Sequence, residues 1–177
     1  AFKAIAGELA APVVLIPGNH DDRDALRQVF GGTSWLPTDG EYLQYVIEDH
    51  AVRIICCDSV IAGDTPGEMC AARLAWLDAR LGEAPDRPTI VALHHPPFYS
   101  GMTGGSAKGL RHGGLELDTL LRRHPQVVRF LAGHVHRPIT AAFGGTIAFA
   151  GPERLLNVTH EPPAVAVHLW LEDATPA

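Results

Sequence analysis

No apolar stretch in this chain approaches the ~20 residues needed to cross a bilayer, and no signal-peptide pattern is visible, so a cytoplasmic protein without membrane attachment is expected. Basic residues are too few to offset phosphate. With 14 Lys and Arg against 20 Asp and Glu, the formal charge is −6, which argues against binding a nucleic-acid polymer. There are only three cysteines, Cys56, Cys57 and Cys70. Neighbours in a strand point to opposite faces, so Cys56 and Cys57 suit neither a mutual disulfide nor a metal clamp. All three read as reduced, structural residues. Internal repeats and interdomain linkers are also lacking, and the 177 residues suit one compact domain spanning 1–177.

Histidine, by contrast, is abundant, with ten residues. Five of them (His20, His94, His95, His134 and His136) lie in three short stretches, "VVLIPGNHDD" (13–22), "IVALHHPPF" (90–98) and "VVRFLAGHVHRP" (127–138). In each, an apolar run stops abruptly at imidazole. A buried strand delivers its last residues to one rim of a sheet, and open α/β sheets bind ligands at such a rim. Neutral imidazole nitrogens and an amide oxygen are what a divalent transition metal takes as ligands. His134 and His136, two apart, can aim their rings at different points, which suits two adjacent ions better than one closed tetrahedral site. No thiolate takes part, which argues against a structural zinc knot.

Periodicity and turn residues divide the rest. Helices are expected over 2–10, 22–30, 70–82 and 115–123, with Leu74, Leu77 and Leu81 on one face of the third and Leu117, Leu120 and Leu121 inward on the fourth. Strands are expected at 13–16, 41–49, 52–58, 89–93, 127–132, 139–143, 146–150 and 164–171. Loops are expected at 31–40, 62–68 and 99–114, the last long and glycine-rich. Strands and helices alternate and then strands dominate, which indicates a layered α/β arrangement.

Taken singly, each histidine stretch has a plainer reading: an Asx turn for "GNHDD", a strand stop for "HHPP", a solvated loop for "GHVH". Asp21 and Asp22 suit a helix cap better than a metal. Only one of His94 and His95 readily faces a common site; His94 is favoured as ligand, with His95 behind it holding or packing. His112 is a candidate to approach substrate from the glycine-rich loop, against the simpler reading of a solvated loop histidine. The nearby "GGSAKG" lacks phosphate-loop spacing.

The set "GNHD", "HHPP" and "GHVH" resembles the last three motifs of the calcineurin-like metallophosphoesterases, and is most similar to their class III cyclic nucleotide phosphodiesterases and glycerophosphodiesterases. "RIICCDS", "PGEMCAARLAWLDARL" and "EPPAVAVHLW" extend the likeness along almost the whole chain. The resemblance implies a four-layer α/β/β/α sandwich that hydrolyses small phosphodiesters through a metal-activated hydroxide. It implies Asn19, His94 and His134 as ligands of one ion and His136 of the other. It places His20 beside the scissile phosphate, neutralising charge or protonating the leaving oxygen. Manganese, iron and zinc all suit such a set.

Two earlier motifs of that family, an Asp-x-His and a Gly-Asp-x-x-Asp, do not occur before Asn19. The expectation is therefore an N-terminally incomplete domain lacking its first strands, holding one ion where the intact family holds two, with weak or no activity. Exposed strand edges favour a homo-oligomer. The alternatives are a phosphomonoesterase or protein phosphatase on the same core, or a truncated, non-catalytic metal-binding or interaction protein.

Overall fold

The computed structural model describes residue 8 and residues 13–33, 36–101 and 109–151. In chain order the elements are α1 (Arg23–Phe30), β1 (Tyr45–Ile47), β2 (Arg53–Cys56), β3 (Gly67–Glu68), α2 (Ala71–Gly82), β4 (Thr89–Ala92), β5 (Leu110–His112), α3 (Gly114–Leu121), β6 (Val127–Ala132), β7 (Ile139–Phe143) and β8 (Thr146–Ala150).

Six of the strands form one sheet in the order β1-β2-β4-β6-β8-β7. The central pairs β2–β4, β4–β6 and β6–β8 are parallel, while β1 and β7 pair antiparallel with β2 and β8 at the two edges. Parallel neighbours need a crossover, and α2 and α3 lie within the connections β2 to β4 and β4 to β6. The consequence for function is directional. Strands β2, β4, β6 and β8 all run the same way, so the residues that follow them emerge at one rim.

Alternation along β2 divides the core. Ile55 and Cys57 pack with Leu77 and Leu81 of α2, Leu117 and Leu121 of α3, and Val91, Leu93 and Phe130. Cys56 faces the other way, into Leu36, Leu43, Tyr45 and Ile47, where Val14, Ile16, Leu26 and Phe30 also pack. The two adjacent cysteines therefore lie in separate apolar clusters, as period-two geometry requires. All three thiols are free, and burial pushes that of Cys56 up to about 11.

Most expected elements occur where the pattern places them, with β6, β7 and β8 matching to the residue. Helix α1 starts one residue after Asp22, whose side chain accepts a hydrogen bond from the Ala25 amide and caps it. Three expectations need correction. The run 13–16 is not a strand: it joins no ladder among the described residues. Its apolar side chains bury against the smaller cluster, and the Tyr45 hydroxyl donates to the Leu15 carbonyl. The loop at 62–68 contains β3, and the long loop at 99–114 contains β5. These two short strands pair in parallel, away from the main sheet. Neither segment has an alternating apolar pattern, because the ladder is only two or three residues long and is held by backbone groups, with Gly67 buried and Arg111 and His112 exposed. The helix expected at 2–10 and the strand at 164–171 lie outside the described residues.

Among the described residues no helix is long and apolar enough to cross a membrane.

Candidate metal centre

The rim where the parallel strands end carries the histidines. After β4 the chain continues through Leu93, whose amide donates to the Leu131 carbonyl, to His94, whose carbonyl accepts from the Gly133 amide at 3.0 Å. These bonds lock the "HHPP" and "GHVH" loops side by side. The third loop, Gly18–Asp22, closes on itself: the Gly18 amide donates to the Asp21 carboxylate at 2.9 Å, and the Asp21 amide returns to the Gly18 carbonyl at 3.0 Å. Asp22 caps the helix that follows, as expected, whereas Asp21 does not cap it but shapes the preceding turn through the Gly18 amide.

Gly18 allows this turn to approach His94. A Cβ at that position would meet three atoms of the His94 ring at 3.0 to 3.2 Å, closer than side chains normally pack. With hydrogen there instead, Asn19 comes to rest against the ring. Its side-chain oxygen lies 3.0 Å from His94 Nε2 and 3.2 Å from His134 Nδ1, and the two nitrogens lie 3.3 Å apart. Three ligand-type atoms from three separate loops therefore form a small triangle.

The dimensions of that triangle bear on what it can hold. Ligands at about 2.1 Å from one cation lie about 3.0 Å apart at a right angle and about 3.4 Å apart at the tetrahedral angle. The three separations fall within that range, so the residues fit one face of a transition-metal coordination sphere. Charge agrees with geometry. Burial, and then the fields of His95, His134, His136 and His20, push the His94 imidazole down to about 3. At neutral pH it is uncharged and keeps a lone pair, the form a metal takes.

His134 is held at a price in backbone conformation. It has φ +67, and the Val135 amide bonds across it to the Gly133 carbonyl at 2.8 Å, a three-residue turn of the uncommon positive-φ form. His136 also has a positive φ, +57. Between them Val135 is fully buried, so the loop is anchored by an apolar plug while its histidines flank it. Strained non-glycine residues persist where the surroundings over-determine them, which occurs mainly at functional sites.

His95 completes a compact cluster with His94 and His134, the ligand atoms of the three lying within 4.8 Å of one another. Its nitrogens are nonetheless engaged elsewhere. Nε2 donates to the Thr65 carbonyl at 3.1 Å, so Nδ1 is the acceptor for the Ser59 hydroxyl at 2.9 Å, and that oxygen in turn accepts the His95 amide at 3.3 Å. Both ring nitrogens are thus committed to the protein, which sets His95 behind the triangle. Burial, followed by His134, holds it down at about 4. Gly67 makes room: a Cβ there would lie 2.3 Å from His95 Nδ1 and 2.5 Å from the Ser59 carbonyl oxygen.

His20 and His136 are exposed on the outer side of the site, within electrostatic reach of His94. His112 is not in a loop but in β5, exposed, with its carbonyl accepting from the Met69 amide. No hydrogen bond or ring contact joins it to Asn19, His94 or His134.

The sequence reading passed over Asp58, Ser59 and Arg23. Asp58 and Ser59 follow β2 to the same rim, are fully buried, and bond to Arg23 and His95 respectively. A signal was present. "VRIICCDS" is a fourth apolar run ending in polar residues, like the three that end in histidine.

The chain is similar to several known phosphodiesterases. The chain is 33% identical to a probable glycerophosphodiester phosphodiesterase from Arcobacter nitrofigilis, over 97% of this chain and 67% of that protein. It is 32% identical to a 3',5'-cyclic adenosine monophosphate phosphodiesterase from Escherichia coli, over 80% of this chain and 50% of that protein. It is 35% identical to a probable cyclic nucleotide phosphodiesterase from Rhodopseudomonas palustris, over 96% and 66% respectively. The chain thus spans between half and two thirds of the length of these relatives. Among solved structures, a dimetal phosphatase from Danio rerio superposes with a TM-score of 0.57 at 15% identity, over 76% of this chain and 59% of that one, a likeness of fold. The family model of the calcineurin-like phosphoesterases matches residues 1–138, and the chain belongs to that family.

Proposed function

We propose that this protein hydrolyses small phosphodiesters, of the glycerophosphodiester or cyclic nucleotide class, with a divalent metal held by Asn19, His94 and His134. The observation that carries the reading is the triangle of 3.0, 3.2 and 3.3 Å formed by one amide oxygen and two imidazole nitrogens from three loops at a single rim. Relatives named for those two substrate classes support the substrate side of the reading.

When bound, a divalent cation such as Mn²⁺, Fe²⁺ or Zn²⁺ supplies Lewis acidity and a water of lowered pKa for in-line attack on phosphorus. The protein's own part is positional. Asn19 contributes an oxygen that accepts only, and its turn is closed by Gly18 and Asp21 before any ligand arrives. His94 offers a neutral nitrogen, so its part in loading the site does not first require removal of a proton at neutral pH, and His134 Nδ1 lies beside it at 3.3 Å. His20 follows Asn19 in the chain and is exposed, which supports the reading that it meets substrate from the solvent side and gives a proton to, or neutralises charge on, the leaving oxygen. His136, on the exposed side of the loop, is the candidate ligand for a second ion.

The test is release of nitrophenol from bis-(p-nitrophenyl) phosphate with Mn²⁺ added. Turnover is expected with the wild-type chain and is expected to fall below detection in His94→Ala and His134→Ala. Activity that survives both substitutions overturns the reading. Parallel rates on p-nitrophenyl phosphate distinguish a diesterase from a monoesterase on the same site.

A further inference from the structure

We propose that Asp58 and Ser59, the two residues at the exit of β2, act together as a bracket that positions the metal-binding side chains. Asp58 does so through Arg23 and Ser59 through His95. This rests on the reading of the site as a metal centre, and it assigns a role to residues that touch neither metal nor substrate.

Asp58 is fully buried, and each of its carboxylate oxygens accepts two hydrogen bonds. Oδ2 accepts from Arg23 Nε at 2.6 Å and from the Leu43 amide at 2.9 Å. Oδ1 accepts from an Arg23 Nη at 2.9 Å and from the Val60 amide at 2.9 Å. The same Nη also donates to the Val60 carbonyl at 2.8 Å. A paired, fully satisfied carboxylate is the form in which burial of charge is tolerated, and the Arg fork fixes direction as well as distance. That direction is functional. Arg23 is the first residue of α1, immediately after the Gly18–Asp22 turn, so the clamp fixes the turn that carries Asn19 and His20 against the end of β2.

The next residue does the same for a second loop. Ser59 Oγ holds the His95 ring at 2.9 Å and its amide at 3.3 Å, and His95 is joined directly to His94. The third loop follows, because the Gly133 amide is bonded to the His94 carbonyl. All three loops that supply the triangle are therefore referred to two consecutive residues just beyond the end of β2. Arg73 reinforces the frame: it donates to the Val60 carbonyl at 2.8 Å and stacks over Tyr42 at 4.2 Å.

The test uses Co²⁺ titration of the whole chain, followed by its visible absorption, together with amide exchange on the metal-free protein. Asp58→Asn, Arg23→Lys and Ser59→Ala are each expected to weaken Co²⁺ binding by roughly 10-fold, the low end of the loss seen when a direct partner of a ligand is removed, because each acts one residue further from the ligands. Lysine does not rescue, because it keeps the charge but loses the two-pronged geometry. Leu120→Ala, on the buried face of α3, is the control: it lowers thermal stability and leaves Co²⁺ affinity unchanged. In Asp58→Asn and Arg23→Lys the Gly18 and Asp21 amides are expected to exchange faster, while the Leu74 amide in α2 does not.

Affinities that match wild type, or that fall only in step with the Leu120→Ala control, overturn the proposal. If Asp58→Asn does not fold, Arg23→Lys and Ser59→Ala carry the comparison. A wild-type chain that takes up no Co²⁺ overturns the proposed function instead. The exchange data then judge the bracket alone, and unchanged exchange at Gly18 and Asp21 refutes it.

Discussion

The Asn19 side-chain oxygen lies 3.0 Å from His94 Nε2 although 75 positions separate the two residues in the chain. Nothing local holds them together. The contact exists because a turn before α1 and a loop after β4 are both delivered to one rim, and because Gly18 presents no side chain to the His94 ring. Asn19→Ala removes the oxygen while leaving the turn's own Gly18–Asp21 bonds in place. It is expected to weaken binding of Mn²⁺ by at least ~10-fold, as measured by calorimetric titration. Equal affinity in the variant and wild type would show that Asn19 is not a ligand.

Metal binding should also register as stability. A cation that binds the native chain and not the unfolded one stabilises it by about 2.7 kcal/mol at a hundredfold excess over its dissociation constant. The melting temperature is expected to rise with added Mn²⁺, to fall back with EDTA, and to lose this response in His134→Ala. A melting temperature that ignores both additions sinks the idea that the triangle is occupied.

The buried histidines set a pH dependence for the metal-free protein. Folding lowers the pKa of His94 from 6.5 to about 3 and that of His95 from 6.5 to about 4. The unfolded chain therefore binds more protons than the native one between those limits, and stability rises with pH across that window. The contribution is fully present above about 6.5 and is lost progressively as pH falls toward 4. Each group contributes at most about 1.4 kcal/mol per pH unit. Urea midpoints between pH 7 and 4 check this: they are expected to decline on acidification, and less steeply in His95→Gln. A flat profile contradicts it.

Two glycine substitutions separate close packing from free space. Gly67→Ala places a methyl group 2.3 Å from His95 Nδ1 and 2.5 Å from the Ser59 carbonyl oxygen, so something must shift. A loss of about 1–3 kcal/mol is expected, the range for overpacking a tight interior. Gly82→Ala, at the end of α2, meets nothing within 4 Å and is expected to be neutral or to stabilise by up to about 1 kcal/mol. Chemical denaturation of both variants reads the difference directly.

The parts of the fold that were legible beforehand are those whose information is local. Apolar runs such as Val127–Ala132 identify strands, and Leu77 and Leu81, or Leu117 and Leu121, mark the buried faces of helices. Asp22 announces the start of α1 by its capping chemistry. The short strands β3 and β5 were not legible, since two or three residues pairing through backbone groups are too few to show a hydrophobic period. The run 13–16 has the composition of a strand but no ladder, because composition specifies burial and not a neighbour.

Residue order marks out the three stretches that hold Asn19, His94 and His134, since in each an apolar run breaks off at residues with metal-ligand chemistry, and the family resemblance is what names these three as ligands of one ion. Alternation favours one of His94 and His95 as ligand, yet the structure brings the His95 ring to 4.7 Å from the His134 ring, centroid to centroid. Residue order could not reveal that Ser59 and Thr65 occupy both nitrogens of His95, that Asp58 grips Arg23, or that His112 ends a short strand rather than lying in a loop. Those facts depend on the parallel register of β2, β4 and β6, which sets which chain ends meet, and register is decided by packing between segments far apart in the chain.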